Sequence, residues 1–274
     1  MPCETSGPQE GHLAQTIVLA NQKGGVGKTT TTVNLAASLA AMERRVLVID
    51  CDPQANASSG LGVDVAGLNR SIYQALFAPA EAKRAIVGSD MEFLKILPST
   101  PDLVGAEIEL SDAKDREFIL RDIVKRVQSE YDYILIDCPP SLGLITINAL
   151  CAAKWLLIPL QCEYYALEGI AQLMKTFTLV QERLNPELQI LGILLTMFDK
   201  RNKLSFMVER EVRDHFQELV FATSIPRNVR LSEAPSHGLP AILYDIRSLG
   251  TQSYIALAQE IIACERLQPQ EQVK

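Results

Sequence analysis

The hydrophobic residues of the chain occur in short continuous runs, and between these runs apolar residues recur at helical spacing. Short runs rich in Val, Ile and Leu are typical of buried parallel strands, and longer amphipathic stretches are typical of helices. The runs predict strands over residues 16–20, 45–50, 93–97, 133–137, 155–160, 190–197 and 220–225. The periodic stretches predict helices over residues 31–39, 115–129, 145–153, 166–184, 204–216 and 250–267, with shorter helical pieces, interrupted by Pro79, over residues 70–86.

Predicted strands and helices alternate along almost the whole chain. This alternation predicts an α/β fold, with a single doubly wound, mostly parallel sheet that carries helices on both faces. No linker or repeat divides the pattern, so we expect one domain over residues 16–267, between a disordered tail at residues 1–15 and a polar tail at residues 268–274. In such a sheet, ligands bind beyond the carboxyl ends of the strands.

A glycine-rich loop follows the first predicted strand, where residues 21–30 read NQKGGVGKTT. A strand, a glycine-rich loop and a helix in this order are the context of a phosphate-binding P-loop. Backbone N–H groups of such a loop surround phosphate oxygens, and the helix adds the positive end of its dipole. We therefore expect Lys28 to reach the β- and γ-phosphates of a nucleotide and the Thr29 hydroxyl to hold Mg²⁺. The predicted cradle consists of Lys23, Gly24, Gly25, Val26, Gly27, Lys28, Thr29 and Thr30.

The loop departs from the usual G-x-x-x-x-G-K-[ST] pattern, because Gln22 stands at the first glycine position and a second lysine, Lys23, follows it. Residues 23–29, KGGVGKT, resemble the deviant Walker A box of the ParA/MinD family of ATPases. Four later segments narrow the resemblance to the ParA/Soj chromosome-partitioning branch: DCDPQ at 50–54, YILIDCPPS at 133–141, QCEYYALEG at 161–169 and IPRNVRLSEAPS at 225–236. The resemblance covers roughly residues 15–263.

The resemblance implies an Mg²⁺-dependent ATPase with a P-loop NTPase fold. Asp137 is similar to a Walker B carboxylate that acts on Mg²⁺ through water, and Asp52 resembles the residue that orients or activates the attacking water. Asp50 is then an internal partner near the loop, although two acids that end a strand also suit capping of the next helix. The adenine is expected against the loop after residues 220–225, with Pro226 and Asn228 as candidates.

Lys23 is redundant if it serves the same phosphates as Lys28. Its presence is explained if it crosses to a second subunit and contacts the nucleotide there, as an arginine finger does. The bound ATP then becomes part of a homodimer interface. Gly24 is expected where the two subunits approach closely, so that a side chain there clashes.

Composition restricts the partners. The net charge of −7 does not favour polyanions, so contact with DNA requires a local basic patch. Basic residues concentrate in the C-terminal third, where Arg201 and Arg230 resemble the DNA-binding positions of partitioning ATPases, whereas Arg210 and Arg213 also suit a solvated face. Binding is expected to involve phosphates and to be independent of DNA sequence.

Six cysteines without a C-x-x-C pair, and three histidines, argue against zinc sites and disulfides and fit a reducing cytoplasm. No secretory signal or apolar run of membrane-spanning length is present. We therefore expect a cytoplasmic protein, and the resemblance to partitioning ATPases implies that it is nucleoid-associated.

The resemblance to the ParA/Soj branch implies an ATP-dependent switch for chromosome or plasmid partitioning. The ATP-bound sandwich dimer is expected to bind DNA non-specifically and to be released when a ParB/Spo0J-type partner stimulates hydrolysis. The alternative, a ParA-like ATPase that positions another cargo, is also compatible with every residue. A MinD-like cell-division positioner needs an amphipathic membrane helix, and residues 265–274 are polar and broken by Pro269, so no stable membrane association is expected. An iron–sulfur reductase needs cluster-ligating cysteines, which Cys138 and Cys162 do not obviously supply.

Overall fold

A seven-stranded sheet forms the centre of the structure, a computed structural model that describes residues 13–163 and 166–264. The strands are β1 (Gln15–Leu19), β2 (Val46–Asp50), β3 (Val87–Gly88), β4 (Leu94–Leu97), β5 (Tyr133–Asp137), β6 (Trp155–Gln161) and β7 (Gln189–Thr196). Their order across the sheet is β3-β4-β2-β5-β1-β6-β7. All neighbouring pairs are parallel except β3 and β4, which confirms the predicted mostly parallel sheet.

Helices cover both faces of this sheet. Those in the described residues are α1 (Lys28–Ala41), α2 (Asn56–Gly60), α3 (Ile72–Phe77), α4 (Ala82–Ala85), α5 (Leu103–Glu109), α6 (Ile119–Val127), α7 (Leu144–Ala152), α8 (Ala166–Arg183), α9 (Lys203–Phe216), α10 (Val229–Glu233), α11 (Ala241–Tyr244) and α12 (Leu249–Ile262). Helices α3 to α9 pack into one buried apolar cluster, and α1, α2 and α10 to α12 pack into the other. In β5, Ile134 and Ile136 enter the first cluster while Leu135 enters the second, as the two-residue period of a strand requires.

The strand predicted over residues 220–225 is absent, and that prediction is wrong. In the described structure, this segment forms isolated bridges in place of a strand. Val220 bridges to Ile193 in β7, and Pro226 bridges to Phe198, just after β7. The middle of the segment turns away because the backbone N–H groups of Ala222 and Thr223 donate to the Glu260 carboxylate of α12, at 2.6 and 2.9 Å. Those two donors are therefore unavailable to a β-ladder.

The C-terminal helix was predicted over residues 250–267, but α12 ends at Ile262. The two predicted tails fall mainly on residues 1–12 and 265–274, which lie outside the described residues. At the start of the domain, β1 begins at Gln15, whose amide oxygen accepts a hydrogen bond from the Trp155 indole at 2.9 Å. Among the helices that the structure describes, none is long and apolar enough to span a membrane.

Candidate nucleotide-binding site

The loop between β1 and α1 carries its special backbone angles on glycines. Gly25 has φ 72° and Gly27, which immediately precedes α1, has φ 88°. These left-handed values are strained for other residues, so the sequence places glycine where the chain must turn back over the sheet edge. Val26 between them is 1% exposed, so its side chain anchors the loop in the interior. The predicted strand–loop–helix arrangement is confirmed.

Lys28 lies inside this loop. Its side chain is buried, and its ammonium donates to the backbone carbonyls of Asn21 at 3.1 Å and Lys23 at 3.2 Å. Burial lowers the pKa of Lys28, while the nearby carboxylates of Asp137 and Asp52 act in the opposite direction. The loop thus holds a desolvated cation at its centre, which is an arrangement suited to an anionic ligand.

Asp137 ends β5 directly beside the P-loop helix. It is fully buried, and its two carboxylate oxygens accept from the hydroxyls of Thr29, at 2.7 Å, and Thr32, at 2.9 Å. A hydroxyl that donates its proton still offers oxygen lone pairs, so Thr29 and Asp137 form the oxygen-rich corner that Mg²⁺ prefers. Burial, followed by the charge of Asp50, raises the pKa of Asp137 to about 7.

Asp50 lies opposite Asp137 in the register of β2 and β5 and is also fully buried. Its carboxylate accepts from the Ser58 hydroxyl at 2.7 Å, the Ser58 N–H at 2.9 Å and the Asp52 N–H at 3.1 Å. Burial raises its pKa to about 6. Because Ser58 lies in the first turn of α2, these contacts match both roles considered for Asp50, the internal partner and the helix cap.

Both carboxylate oxygens of Asp50 accept hydrogen bonds, whereas Asp52 accepts through one of its two oxygens. Its Oδ1 accepts from the Gln54 N–H at 2.9 Å, and no donor among the described residues binds its Oδ2. Asp52 is 8% exposed and close enough to Lys28 to affect the pKa of that ammonium. A carboxylate oxygen is therefore available near the loop, as the orientation of a water molecule requires.

Lys23 is not bound by the carbonyls that hold Lys28. Its ammonium forms an ion pair with Glu163, and the two side chains are 37% and 44% exposed. Its backbone N–H donates to the Asn21 side chain at 3.0 Å. A Cβ on Gly24 would lie 3.8 Å from Pro140 Cβ, an ordinary contact, so its own chain does not require glycine there. The rim of the loop thus presents a second cation and a residue without a side chain.

A cavity of about 160 Å³ adjoins the loop at Gly27 and Thr30. Its wall includes Pro226 and Asn228, the two residues predicted to contact adenine. The side-chain oxygen of Asn228 accepts from the Arg230 N–H at 2.9 Å and caps α10, which leaves the Asn228 amide group as the donor for a base edge. A larger groove of about 590 Å³ lies between α8, α9 and β7 and contains no residue of the P-loop.

Comparison with known proteins agrees with this geometry. A family model described as "AAA domain" matches residues 14–190. The chain is 54% identical to the chromosome partitioning protein ParA of Myxococcus xanthus, over 91% of this chain and 88% of that protein. It is 53% identical to the sporulation initiation inhibitor protein Soj of Bacillus subtilis, over 92% of this chain and 99% of that protein. The chain belongs to the ParA/Soj family of chromosome-partitioning ATPases.

A solved structure of similar fold contains a nucleotide and magnesium. The cobyrinic acid a,c-diamide synthase of Mycobacterium smegmatis, with bound ATP analogue and magnesium, superposes with a TM-score of 0.79 at 37% identity, over 90% of this chain and 93% of that chain. Nucleotide and Mg²⁺ binding in this fold are therefore supported. The chain is an ATPase of the P-loop NTPase class.

Of the two arginines predicted to contact DNA, one lies in the turn after β7 and the other on the short helix α10. Arg201 follows β7, is 90% exposed and pairs with Asp199 at 3.1 Å. Arg230 on α10 pairs with Glu233 at 2.7 Å and with Asp245 at 3.3 Å. Both guanidinium groups are accessible, and both are partly neutralised by acids of their own chain.

Sequence reasoning missed several residues of the ParA/Soj site: Thr32, Ser58, Glu163 and Thr196. Thr32 was only one of four consecutive threonines, and Ser58 lay in a polar connection that had no helical period. Spacing provides one signal for Thr32, because it lies one turn after Lys28 and its hydroxyl also contacts the Lys28 carbonyl at 3.1 Å. No local signal indicates Glu163 or Thr196.

Proposed function

We propose that the chain is an ATP-dependent switch for chromosome or plasmid partitioning. ATP closes a sandwich homodimer, the dimer binds nucleoid DNA without sequence preference, and a ParB/Spo0J-type partner releases it by stimulating hydrolysis. The observation that carries this proposal is the different placement of the two lysines: Lys28 is held by backbone carbonyls at the centre of the loop, and Lys23 lies on its exposed rim. The protein is then cytoplasmic and nucleoid-associated, and residues 16–267 form the ATPase domain.

The proposed ATP site uses each residue according to its position. Backbone N–H groups of residues 23–30 and the Lys28 ammonium bind the phosphates, while Pro226 and Asn228 contact the adenine. Thr29 and Asp137 hold Mg²⁺, Asp137 through water. The bound Mg²⁺ supplies neutralisation of the negative charge on the phosphate oxygens. Asp50 anchors α2 through Ser58 and accepts directly from the Asp52 N–H, so that Asp52 remains in place to orient water.

Replacement of Asp52 by alanine is expected to reduce ATP turnover while ATP binding and the ATP-bound dimer persist. Orientation and activation of water by a positioned base contributes roughly 10²–10⁴-fold in rate, and the Lys28 cradle remains intact. Turnover and sedimentation with ATP test this. The matched control is Asp64→Ala, which removes an acid that accepts one hydrogen bond from the described part of the chain, from the Ala66 N–H at 3.2 Å. Wild-type turnover in Asp52→Ala removes Asp52 from the mechanism, and a monomer with ATP contradicts the separation of dimerisation from hydrolysis.

Arg201→Ala and Arg230→Ala are each expected to weaken DNA binding of the ATP-bound protein and to leave ATP binding unchanged. A phosphate contact carries no base information, so the loss should be equal on unrelated duplexes. Each lost contact should also flatten the plot of log affinity against log salt by roughly one unit.

The control for the arginine variants is Arg84→Ala. Arg84 is also exposed and paired with an acid, Glu81 at 2.6 Å. It lies on α4, which precedes the edge strand β3, whereas Arg201 follows β7 at the opposite edge of the sheet. Binding to two duplexes over a salt series is measured for all variants. Unchanged affinity and salt dependence in Arg201→Ala and Arg230→Ala would show that these two residues do not contact DNA.

The switch itself is tested by DNA binding with ATP, with ADP and without nucleotide. The proposal expects binding with ATP and little binding in the other two states. Equal binding in all three states would separate DNA affinity from the nucleotide. Absence of binding in every state would favour a ParA-like ATPase that positions another cargo.

A further inference from the structure

Thr196 is the last residue of β7, and its side chain bonds directly to the P-loop. Its hydroxyl donates to the Val26 carbonyl at 2.8 Å, between two residues that are 2% and 1% exposed. The sequence separation between Thr196 and Val26 is 170 residues. This buried hydroxyl thus joins the loop to a strand on the far side of β6.

The Thr196 bond fixes the orientation of one peptide group. In a trans peptide, the carbonyl of Val26 and the N–H of Gly27 point in opposite directions. While Val26 O faces Thr196, the Gly27 N–H faces away from β7. On the other side of Gly27, its carbonyl accepts from the Thr31 N–H at 2.9 Å and belongs to α1. Within the described residues, the Thr196 hydroxyl is therefore the hydrogen-bond donor that holds the peptide before Gly27.

A hydroxyl is needed here because glycine alone does not restrict the peptide. Gly27 has φ 88°, but glycine adopts positive and negative φ with similar ease, so the Val26–Gly27 peptide is free to rotate unless something binds it. A rotated peptide turns the Val26 carbonyl, an acceptor, toward the ligand in place of a donor. Repulsion between that carbonyl and a phosphate oxygen would then oppose binding.

Thr196 also begins the wall of the neighbouring cavity. Its neighbour Met197 has φ 50°, which turns the chain sharply at the end of β7, and both residues line the cavity with Pro226. A Cβ on Gly27 would lie 3.7 Å from Thr196 Cγ2, so the Thr196 methyl group packs beside the loop. The same residue therefore contacts the glycine loop and the cavity proposed for the base.

We propose that Thr196 is a positioning residue for ATP binding, whose hydroxyl holds the Val26–Gly27 peptide so that the Gly27 N–H faces the phosphates. The proposal rests on the assignment of residues 23–30 as the phosphate cradle. Because the Gly27 N–H contacts the phosphates before and during the reaction, its loss weakens ground-state and transition-state binding equally. The signature of the role is thus a higher KM with little change in kcat.

The test compares Thr196→Val, which keeps the shape and removes the hydroxyl, with Thr196→Ser, which keeps the hydroxyl. The affinity for ATP with Mg²⁺ should fall about threefold to tenfold in Thr196→Val, the effect of one neutral hydrogen bond, and KM should rise by the same factor. Thr196→Ser should stay within about twofold of the wild type. Thr196→Ala provides a second variant without the hydroxyl, for which the same loss is expected.

The matched control is Thr251→Val. Thr251 is 1% exposed and donates to the Asp245 carbonyl at 2.9 Å, so its replacement also removes a buried hydroxyl bond but leaves the P-loop untouched. Wild-type ATP affinity in Thr196→Val, an equal loss in Thr196→Ser, or an equal loss in Thr251→Val would each overturn the proposal. Failure of the wild-type chain to bind ATP would instead overturn the cradle assignment itself, and so separates the two.

Discussion

Lys28→Ala is expected to abolish productive ATP binding. The variant removes a buried ammonium that lies among the carbonyls of Asn21 and Lys23 and within the field of Asp137. A hydrogen bond to a charged group is worth about 1.5–3 kcal/mol, so loss of the phosphate contact alone corresponds to roughly tenfold to more than hundredfold in affinity. Without the Lys28 charge, the negative charge of the buried acids beside the loop is no longer compensated, and it repels an anionic ligand.

The measurements for Lys28→Ala are ATP affinity and turnover at saturating Mg²⁺. Lys83→Ala is the matched control, since Lys83 is half-exposed on α4 and its ion-pair partner, Glu130, lies outside the P-loop. The control should bind and hydrolyse ATP as the wild type does. Normal ATP affinity and turnover in Lys28→Ala would refute the assignment of residues 21–30 as a P-loop.

The central part of the fold could be predicted because its signals are local. Residues 46–49 and 133–136 are hydrophobic throughout, and an acid follows each run. Glycines stand where φ is positive, as at Gly27. Parallel strands align their carboxyl ends, so the sequence could also predict that Asp50 and Asp137 lie at one edge of the sheet. That they are in register, and that the charge of Asp50 raises the pKa of Asp137, follows only from the adjacency of β2 and β5, which are not consecutive in the chain.

The features that could not be predicted depend on partners far away in sequence. Glu260 draws the backbone of residues 222–223 out of a strand from 38 and 37 residues away. The partner of Lys23, Glu163, is 140 residues distant. Neither contact leaves a period or spacing in the sequence, because the fold alone brings the two groups together. The sequence therefore identified the cations of the site better than the groups that hold them.

Lys23→Ala is expected to lose ATP-dependent dimerisation and ATP turnover far more than ATP binding. A cation supplied across an interface contributes roughly 10³–10⁵ in rate. Within a single subunit, Glu163 holds the Lys23 ammonium at the loop rim, and both side chains are more than a third exposed. Such half-exposed pairs contribute about 0–1 kcal/mol, so a phosphate of a second subunit can replace Glu163 at little cost. Glu163→Gln should accordingly retain ATP binding and dimerisation.

Mixed dimers decide whether Lys23 acts in trans. Neither Lys23→Ala nor Asp52→Ala is expected to turn over ATP alone. When the two are mixed, the subunit with Lys23→Ala keeps its own Asp52 and receives Lys23 from its partner, so a trans contact restores turnover at that site. If Lys23 serves its own nucleotide, each site of the mixed dimer lacks one group and stays inactive. The control places both changes in one subunit and mixes it with the wild type. For a trans contact those mixed dimers are inactive, because the wild-type site receives no Lys23, whereas a contact within the subunit leaves that site active.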